Sequence, residues 1–209
     1  MRNVVICFTF LVLLLAAGPA PAYTHYTENT FATAESLDPG MTQMGIHYSQ
    51  STDHFESFYP SVRYGVGALF EIGGRFGVTS ADFDSRTKLG GLVGLDVKYQ
   101  LIKETEGIPL DMAVDLGWDD HFIDHKNASE VTFSAIFSKG IPLTDRGNKF
   151  IPYIGLEMSA LYGSAVPDND TAMYLFGGIE WKLSQQFMIM LEGKEGETFI
   201  GGIGIRFEY

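Results

Sequence analysis

The C-terminal stretch Ile203-Gly204-Ile205-Arg206-Phe207-Glu208-Tyr209 has the strict alternation of a β-strand. In an extended chain successive side chains point to opposite faces. The two isoleucines, Phe207 and Tyr209 therefore share one face, and glycine, Arg206 and Glu208 share the other. The sequence stops on an aromatic residue while this alternation is still running. The stretch predicts a strand with one fully apolar face that continues to the last residue.

The same two-residue period recurs along most of the chain, and no long stretch has the 3.6-residue period of a helix. The longest runs exceed the roughly 5 to 6 residues usual for soluble strands and suit the roughly 9 to 11 that cross a bilayer at a tilt. The pattern predicts an all-β fold, a closed antiparallel up-and-down transmembrane β-barrel, with ten strands favoured and eight as the alternative. The ten runs lie near residues 41–50, 57–65, 68–79, 88–102, 108–118, 130–140, 150–163, 171–183, 187–193 and 198–209.

An even number of strands puts both ends of the barrel on the same side of the membrane, the periplasmic side. Periplasmic turns are then expected at Val66-Gly67, Lys103 to Gly107, Pro142 to Lys149 and Ser184 to Gln186. The outer connections are expected near residues 51–56, 80–87, 119–129, 164–170 and 194–197.

Residues 1–22 have the layout of a cleavable signal peptide. Arg2 supplies the positive charge, an apolar stretch follows, and Ala20-Pro21-Ala22 offers small residues for cleavage. The apolar run is shorter than the roughly 20 residues of a membrane-spanning helix. We therefore expect residues 1–22 to be removed, residues 23–40 to form a periplasmic N-terminal segment, and residues 41–209 to form the barrel.

Composition excludes several classes of function. Acidic residues outnumber basic ones by 26 to 14, which gives a net charge of −12, so a nucleic acid would be repelled. The single cysteine, Cys7, lies in the predicted leader, so the mature chain is expected to have no disulfide, thiolate nucleophile or cysteine-based metal site. No cofactor and no metal are expected.

A cleavable leader, an even set of amphipathic strands and a terminal aromatic residue together resemble the small OmpA, OmpX and OmpW type of bacterial outer-membrane barrel. The stretch Thr33 to Gly40 also resembles the approach to the first strand in barrel proteins of unassigned role. The resemblance implies an outer-membrane location, contacts with outer-membrane lipid and lipopolysaccharide, and an assembly signal at Phe207 and Tyr209 that the barrel-assembly machinery reads. It implies no single activity, because this architecture hosts pores, structural proteins, adhesins and enzymes. It leaves the oligomeric state open.

Aromatic residues gather near the predicted strand ends, where amphipathic rings favour the headgroup level of a membrane. Ordinary core aromatics are the alternative interpretation. The residues are Phe58, Tyr59, Tyr99, Trp118, Phe122, Tyr162, Trp181, Phe187, Phe207 and Tyr209.

The alternation also predicts which polar residues face the barrel interior. Both charge signs occur, so the interior is either a cross-linked set of ion pairs that seals the barrel or a thin water-filled path of mixed charge. The predicted inward set is Arg63, Glu71, Arg75, Asp96, Lys98, Asp111, Asp115, Glu157, Glu180, Lys182, Glu192, Lys194 and Arg206.

The outer connections are predicted to be short and acidic, either as a solvated face or as carboxylates that bind divalent cations. The acidic residues expected on or beside these connections are Asp53, Glu56, Asp82, Asp84, Asp119, Asp120, Asp124, Glu130, Asp168 and Asp170.

Two acidic segments of this region raise an enzymatic alternative. Asp82-Phe83-Asp84 and Asp119-Asp120-His121, with Asp124 and His125 nearby, could activate water with histidine as general base. Omptin proteases resemble this in using an Asp pair and an Asp–His pair, but they are much longer chains. The preferred function is therefore a structural role or a narrow passage for small solutes or ions. An outer-membrane hydrolase and a soluble secreted barrel that binds an apolar ligand are the alternatives.

Overall fold

The structure is a computed structural model that describes residues 30–83, 86–105, 107–123, 125–143, 148–164, 166 and 170–209, without the side chains of Phe83 and Arg86. The predicted leader and three of the predicted loop acids, Asp84, Asp124 and Asp168, lie outside the described residues. No helix in the described part of the chain is long and apolar enough to cross a membrane. The strands are β1 (Thr42–Ser51), β2 (Phe55–Gly67), β3 (Phe70–Phe83), β4 (Arg86–Ile102), β5 (Asp111–Ile123), β6 (Lys126–Ser138), β7 (Ile141–Pro142), β8 (Lys149–Tyr162), β9 (Asp170–Lys182), β10 (Phe187–Glu195) and β11 (Phe199–Glu208).

Ten of these strands close into an antiparallel barrel. Each pairs with its neighbour in sequence, β6 pairs with β8 across the two-residue β7, and β1 pairs with β11 to close the ring. Closure removes both sheet edges, so the barrel strands leave no row of unpaired backbone groups. The predicted ten-stranded all-β barrel is confirmed, and the eight-stranded alternative is wrong.

Several predicted connections are shorter than expected because the strands run further. Val66 and Gly67 end β2, and the turn lies at Ala68-Leu69 instead. The largest difference is at the far end of β5, where Asp119, Asp120 and His121 belong to the strand and pair with β6. Two adjacent aspartates interrupt the apolar alternation there, yet the backbone ladder continues.

The two ends of the barrel differ in what they carry. The end that contains Met41 and Tyr209 is called the terminal mouth, and Tyr209 there exchanges backbone hydrogen bonds with Thr42. The other end, with the turn at residues 52–54 and the connection at residues 196–198, is called the opposite mouth.

The outer wall of the barrel is apolar. Large hydrophobic side chains stand exposed on it at alternating positions, an arrangement that would be unusual over so wide an area in water. Nine of the ten aromatic residues predicted at strand ends point outward. The tenth, Tyr59, is buried in the interior, so the prediction that its ring lies at the membrane surface is wrong. Exposed wall residues include Met44, Ile46, Phe76, Leu89, Leu95, Leu116, Phe133, Leu156, Met158, Met173, Trp181, Ile205 and Phe207.

The interior contains two hydrophobic clusters with charged side chains between and around them. One cluster lies at the opposite mouth and consists of Phe55, Ala81, Ile123, Ala128 and Leu161, with Val166 packed against it. The other lies deeper and includes Phe31, Tyr59, Leu92, Ile136, Tyr153, Phe176 and Met190.

Gly65 is a position where backbone segments approach closely. Gly40 donates to the Gly65 carbonyl at 2.8 Å, and Gly65 donates to the Met41 carbonyl at 3.0 Å. A Cβ at Gly65 would overlap the carbonyl oxygen of Asp38, whereas a Cβ at Gly67 would meet nothing within 4 Å.

Gly65→Ala is therefore expected to lower the free energy of unfolding by about 1–3 kcal/mol, because the crowded backbone must shift. Gly67→Ala is the matched control and is expected to have little effect. Urea unfolding of both variants in lipid vesicles measures the difference. Equal stability of the two variants would contradict the close approach at Gly65.

Candidate functional site in the barrel interior

All thirteen predicted inward residues point into the barrel. Eleven are buried, while Arg75 and Lys182 are partly buried. The same face also carries Asp119, Glu130, His47 and His121, which are buried and were not predicted there. Asp119 and His121 continue the two-residue spacing that begins at Asp111. Extending this alternation beyond residue 118 would have predicted both side chains in the interior.

A four-residue ion-pair network crosses β2, β3 and β4. Arg63 donates to Glu71 at 2.7 Å and lies 2.7 Å from a carboxylate oxygen of Asp96. Lys98 lies 2.9 Å from the same Glu71 carboxylate. All four side chains are nearly inaccessible to water, so each charge is compensated by a partner on a neighbouring strand.

Two further ion pairs lie on other parts of the wall. Arg75 makes a two-pronged contact with Asp119, with its Nε 2.5 Å from one carboxylate oxygen. Lys194 donates to Glu157 at 2.7 Å, and Glu157 also accepts from Ser134 at 3.1 Å. These bonds link β3 to β5 and β10 to β8 across the lumen or along its wall.

Asp111 completes the buried polar set near the terminal mouth. It accepts from the side-chain amide of Gln100 at 2.7 Å and from the backbone of Glu104 at 2.8 Å. Asp111 therefore holds the end of β4 against the start of β5.

The segment Thr30–Leu37 lies inside the barrel, and we call it the plug. The sequence analysis assigned these residues to a periplasmic N-terminal segment, residues 23–40, and nothing in their pattern indicated an interior position. Phe31, Ala32, Thr33 and Ala34 are all buried. A turn at Asp38 to Met41 then leads the chain from the plug into β1.

The wall holds the plug mainly through its backbone. Glu192 accepts from the amides of Thr30 and Phe31 at 2.7 and 2.9 Å, and Glu71 accepts from Leu37 at 2.9 Å. Lys98 donates to the carbonyls of Thr33 and Glu35, both at 2.8 Å. Bonds to charged groups are stronger than neutral ones, so the plug is fixed at both ends.

The tip of the plug is also held by ring packing. The ring of Phe31 lies 4.8 Å from that of His47, which in turn stacks 5.2 Å from Tyr59. Phe31 has a φ of 41°, which is uncommon for a residue with a side chain. This packing places an aromatic side chain across the middle of the lumen.

Little free space is left beside the plug tip. Two cavities that touch Thr30 have volumes of only ≈ 10 Å³ each. Such a cavity has room for about one water molecule. The plug and the hydrophobic cluster at the opposite mouth both occupy the lumen of the described barrel.

Glu35 lies at the terminal mouth, outside the strands, and its charge depends on three lysines. Burial raises the pKa of its carboxyl group, but Lys182, Lys149 and Lys98 lower it more, so the net pKa falls below the usual 4.5. The closest of them, Lys149, donates to Glu35 at 2.8 Å.

A lowered carboxyl pKa stabilises the folded form above pH 4.5, and this contribution is lost as the pH falls through the lowered pKa. We therefore expect the amides of Ser36 and Leu37 to exchange faster, after correction for intrinsic rates, at about pH 3 than at about pH 6. Hydrogen exchange read by mass spectrometry measures this. Glu35→Gln should remove most of the pH dependence of the corrected rates, and an unchanged dependence would contradict the role of Glu35.

Among the described residues proposed for hydrolysis, Asp82, Asp120 and His121 lie in different surroundings. Asp82 is exposed at the end of β3, where it accepts from Thr87 at 2.7 Å. His121 is buried inside and packs edge-on to Phe55 at 5.3 Å, while Asp120 points outward and accepts from Ser129 at 2.8 Å. The predicted placement of Asp119, Asp120 and His121 in an outer loop is wrong, because all three lie in β5.

The structure also bears on the predicted acidic outer loops and on the alternative of a metal site. Glu56, Asp82 and Asp170 also belong to strands, whereas Asp53 lies in a turn. No group of three or more potential metal-binding side chains occurs in the part of the chain that the structure covers.

Comparisons with known proteins give structural neighbours only. No family model and no curated protein matches the chain. The N-terminal β-barrel domain of Pseudomonas aeruginosa OprF is 13% identical over 83% of this chain and 100% of its own, with a TM-score of 0.39. The β domain of the Bordetella autotransporter BrkA is 10% identical over 81% and 98%, with a TM-score of 0.49. An outer-membrane channel from Pseudomonas putida F1 is 11% identical over 87% and 100%, with a TM-score of 0.46.

Proposed function

We propose that the chain is an integral barrel of a bacterial outer membrane with a structural role, and that its lumen is closed to solutes. The observation that carries the proposal is the plug, whose backbone is bonded to Glu192, Glu71 and Lys98 inside the barrel. Two interior cavities of ≈ 10 Å³ beside it are too small for a solute.

The membrane location rests on the outer wall. Its exposed apolar side chains suit lipid, and the closed backbone ladder needs no water. With the terminal mouth in the periplasm, Phe207 and Tyr209 lie on the outward face of the last strand and at its end, where they can serve as an assembly signal. Lipopolysaccharide and the barrel-assembly machinery remain the partners that this placement implies.

The location is tested by outer-membrane fractionation with gel mobility before and after boiling. A folded membrane barrel resists detergent, so the mobility should shift only after boiling. Protein recovered in the soluble periplasmic fraction, or a mobility that does not depend on boiling, would contradict the membrane location.

A second candidate function is a narrow passage that opens when the plug leaves the lumen. The composition of the plug favours this second function, because small side chains bury little surface and so hold the plug weakly. Five of its eight residues are small: Thr30, Ala32, Thr33, Ala34 and Ser36. Without the plug, the terminal half of the lumen would be lined by charges of both signs. Water can enter a lumen of this kind.

Swelling of proteoliposomes separates the two functions. Vesicles that contain the intact mature chain should not swell in an isosmotic solution of a small sugar. A variant that keeps the leader but lacks residues 23–37 should also stay closed, because the hydrophobic cluster at the opposite mouth remains. Swelling of the folded variant alone would support the gated passage, and swelling with both chains would contradict the closed lumen.

A further inference from the structure

A polar cavity of ≈ 190 Å³ opens at the terminal mouth, below the plug. One side of it is formed by the plug and the adjoining turn, including Glu35 and Asp38, and by Lys98 of β4. The other side is formed by strands β9, β11 and β1. Its volume corresponds to about six water molecules at about 30 Å³ each, which is also the size range of a small organic solute.

Two charges on the plug side of this cavity, Glu35 and Lys98, are well compensated, and Asp38 and Lys103 also line the cavity. Glu35 is paired with Lys149 at 2.8 Å. Lys98 is held by Glu71 at 2.9 Å as well as by two plug carbonyls at 2.8 Å. These charges already have close partners, so they have little capacity for a ligand.

The strand side is not compensated in this way. Arg206 is 5% exposed, yet its nearest carboxylate contact, with Glu180, is 3.9 Å long. Lys182 and Glu208 are 3.7 Å apart. Within the described part of the chain, the Arg206 Nε and one carboxylate oxygen of Glu208 are buried without a hydrogen-bond partner.

Both ion pairs are therefore too long for a direct hydrogen bond. A buried polar atom without a hydrogen-bond partner, such as the Arg206 Nε, is costly, so these groups favour an added hydrogen-bonding group in the cavity. A simple anion would meet Arg206 and Lys182 but would also face Glu180 and Glu208. A simple cation would meet Glu180 and Glu208 but would also face Arg206 and Lys182.

We propose that this cavity binds a small zwitterion, such as a free α-amino acid, at the terminal mouth. Its carboxylate would accept from Arg206 and Lys182, and its ammonium group would donate to Glu180 and Glu208. A molecule that carries both signs at a separation of a few bonds avoids both repulsions. Because the lumen above is closed, the site is a pocket from which the ligand returns to the same side.

Titration calorimetry of the intact mature chain in lipid nanodiscs tests the proposal, with L-alanine as the probe. Acetate and ethylammonium are the half-ligands. We expect heat of binding for L-alanine and at least tenfold weaker binding for each half-ligand. Absence of binding by L-alanine, or equally tight binding of acetate alone, would overturn the zwitterion assignment.

Variants locate the site. Glu208→Gln and Arg206→Met are each expected to weaken L-alanine binding at least tenfold, whereas Lys139→Met, outside the cavity, should leave it unchanged. Arg206 is buried and its loss can impair folding, so Glu208→Gln, whose side chain is 17% exposed, provides the independent reading. Unchanged affinity in folded Glu208→Gln and Arg206→Met would show that binding occurs elsewhere and would overturn the proposal.

Discussion

Replacing Lys194 by methionine is expected to lower the free energy of unfolding by about 3–5 kcal/mol, the range measured when one partner of a buried ion pair is removed. The Lys194 side chain is 1% exposed, and its Nζ lies 2.7 Å from Glu157 and 5.5 Å from the centre of the Tyr174 ring. Methionine keeps nearly the same length but carries no charge. Glu157 would then remain buried with only the hydroxyl donors of Ser134 and Thr30.

Lys139→Met is the matched control for this substitution. Lys139 lies at the terminal mouth with its side chain 49% exposed and 3.8 Å from Glu104, so its loss should cost about 0–1 kcal/mol. The double variant Lys194→Met with Glu157→Gln should recover part of the lost stability, because it removes the stranded charge. Urea unfolding in lipid vesicles measures all three. Equal losses for Lys194→Met and Lys139→Met would contradict a desolvated interior.

Replacing Glu192 by leucine is expected to release the tip of the plug while the barrel stays folded. The Glu192 carboxylate accepts three bonds, from the amides of Thr30 and Phe31 and from the hydroxyl of Tyr153 at 2.8 Å. Leucine can accept none of them. Bonds to charged groups contribute about 1.5–3 kcal/mol each, so the loss at the plug tip exceeds the 1.4 kcal/mol that corresponds to a factor of ten.

Hydrogen exchange read by mass spectrometry should show the amides of Thr30 and Phe31 exchanging more than tenfold faster in Glu192→Leu. Amides within the strands far from the plug should keep their protection. Glu56→Leu is the control, since Glu56 makes one exposed contact of 3.4 Å with Gln50 near the opposite mouth. Unchanged exchange at Thr30 and Phe31 would show that Glu192 does not hold the plug.

The barrel was predictable from sequence because a two-residue period fixes which side chains face inward. Arg63 and Lys98, for instance, were assigned to the interior from alternation alone. The far end of β5 was missed because Asp119 and Asp120 are adjacent and break the apolar pattern, although backbone pairing with β6 continues. Which charges pair, such as Arg75 with Asp119, depends on strand register, and one sequence does not reveal register.

The plug was not predictable for a different physical reason. Thr30 to Leu37 has no alternation and contains mainly small residues, so it resembles an ordinary linker. Its stability comes from partners remote in sequence, as in the bond between Thr30 and Glu192 across 162 positions. The plug forms one side of the cavity at the terminal mouth, so the sequence did not predict this cavity either.

The proposed closure of the lumen is tested most directly by single-channel conductance of the intact mature chain in a planar bilayer. Insertion is first verified by gel mobility that shifts only on boiling. The structure predicts that verified, inserted protein stays electrically silent, because the hydrophobic cluster at the opposite mouth and the plug both occupy the lumen. Discrete current steps that change when Arg75 or Asp119 is neutralised would contradict the closed lumen and establish a pore through the charged interior.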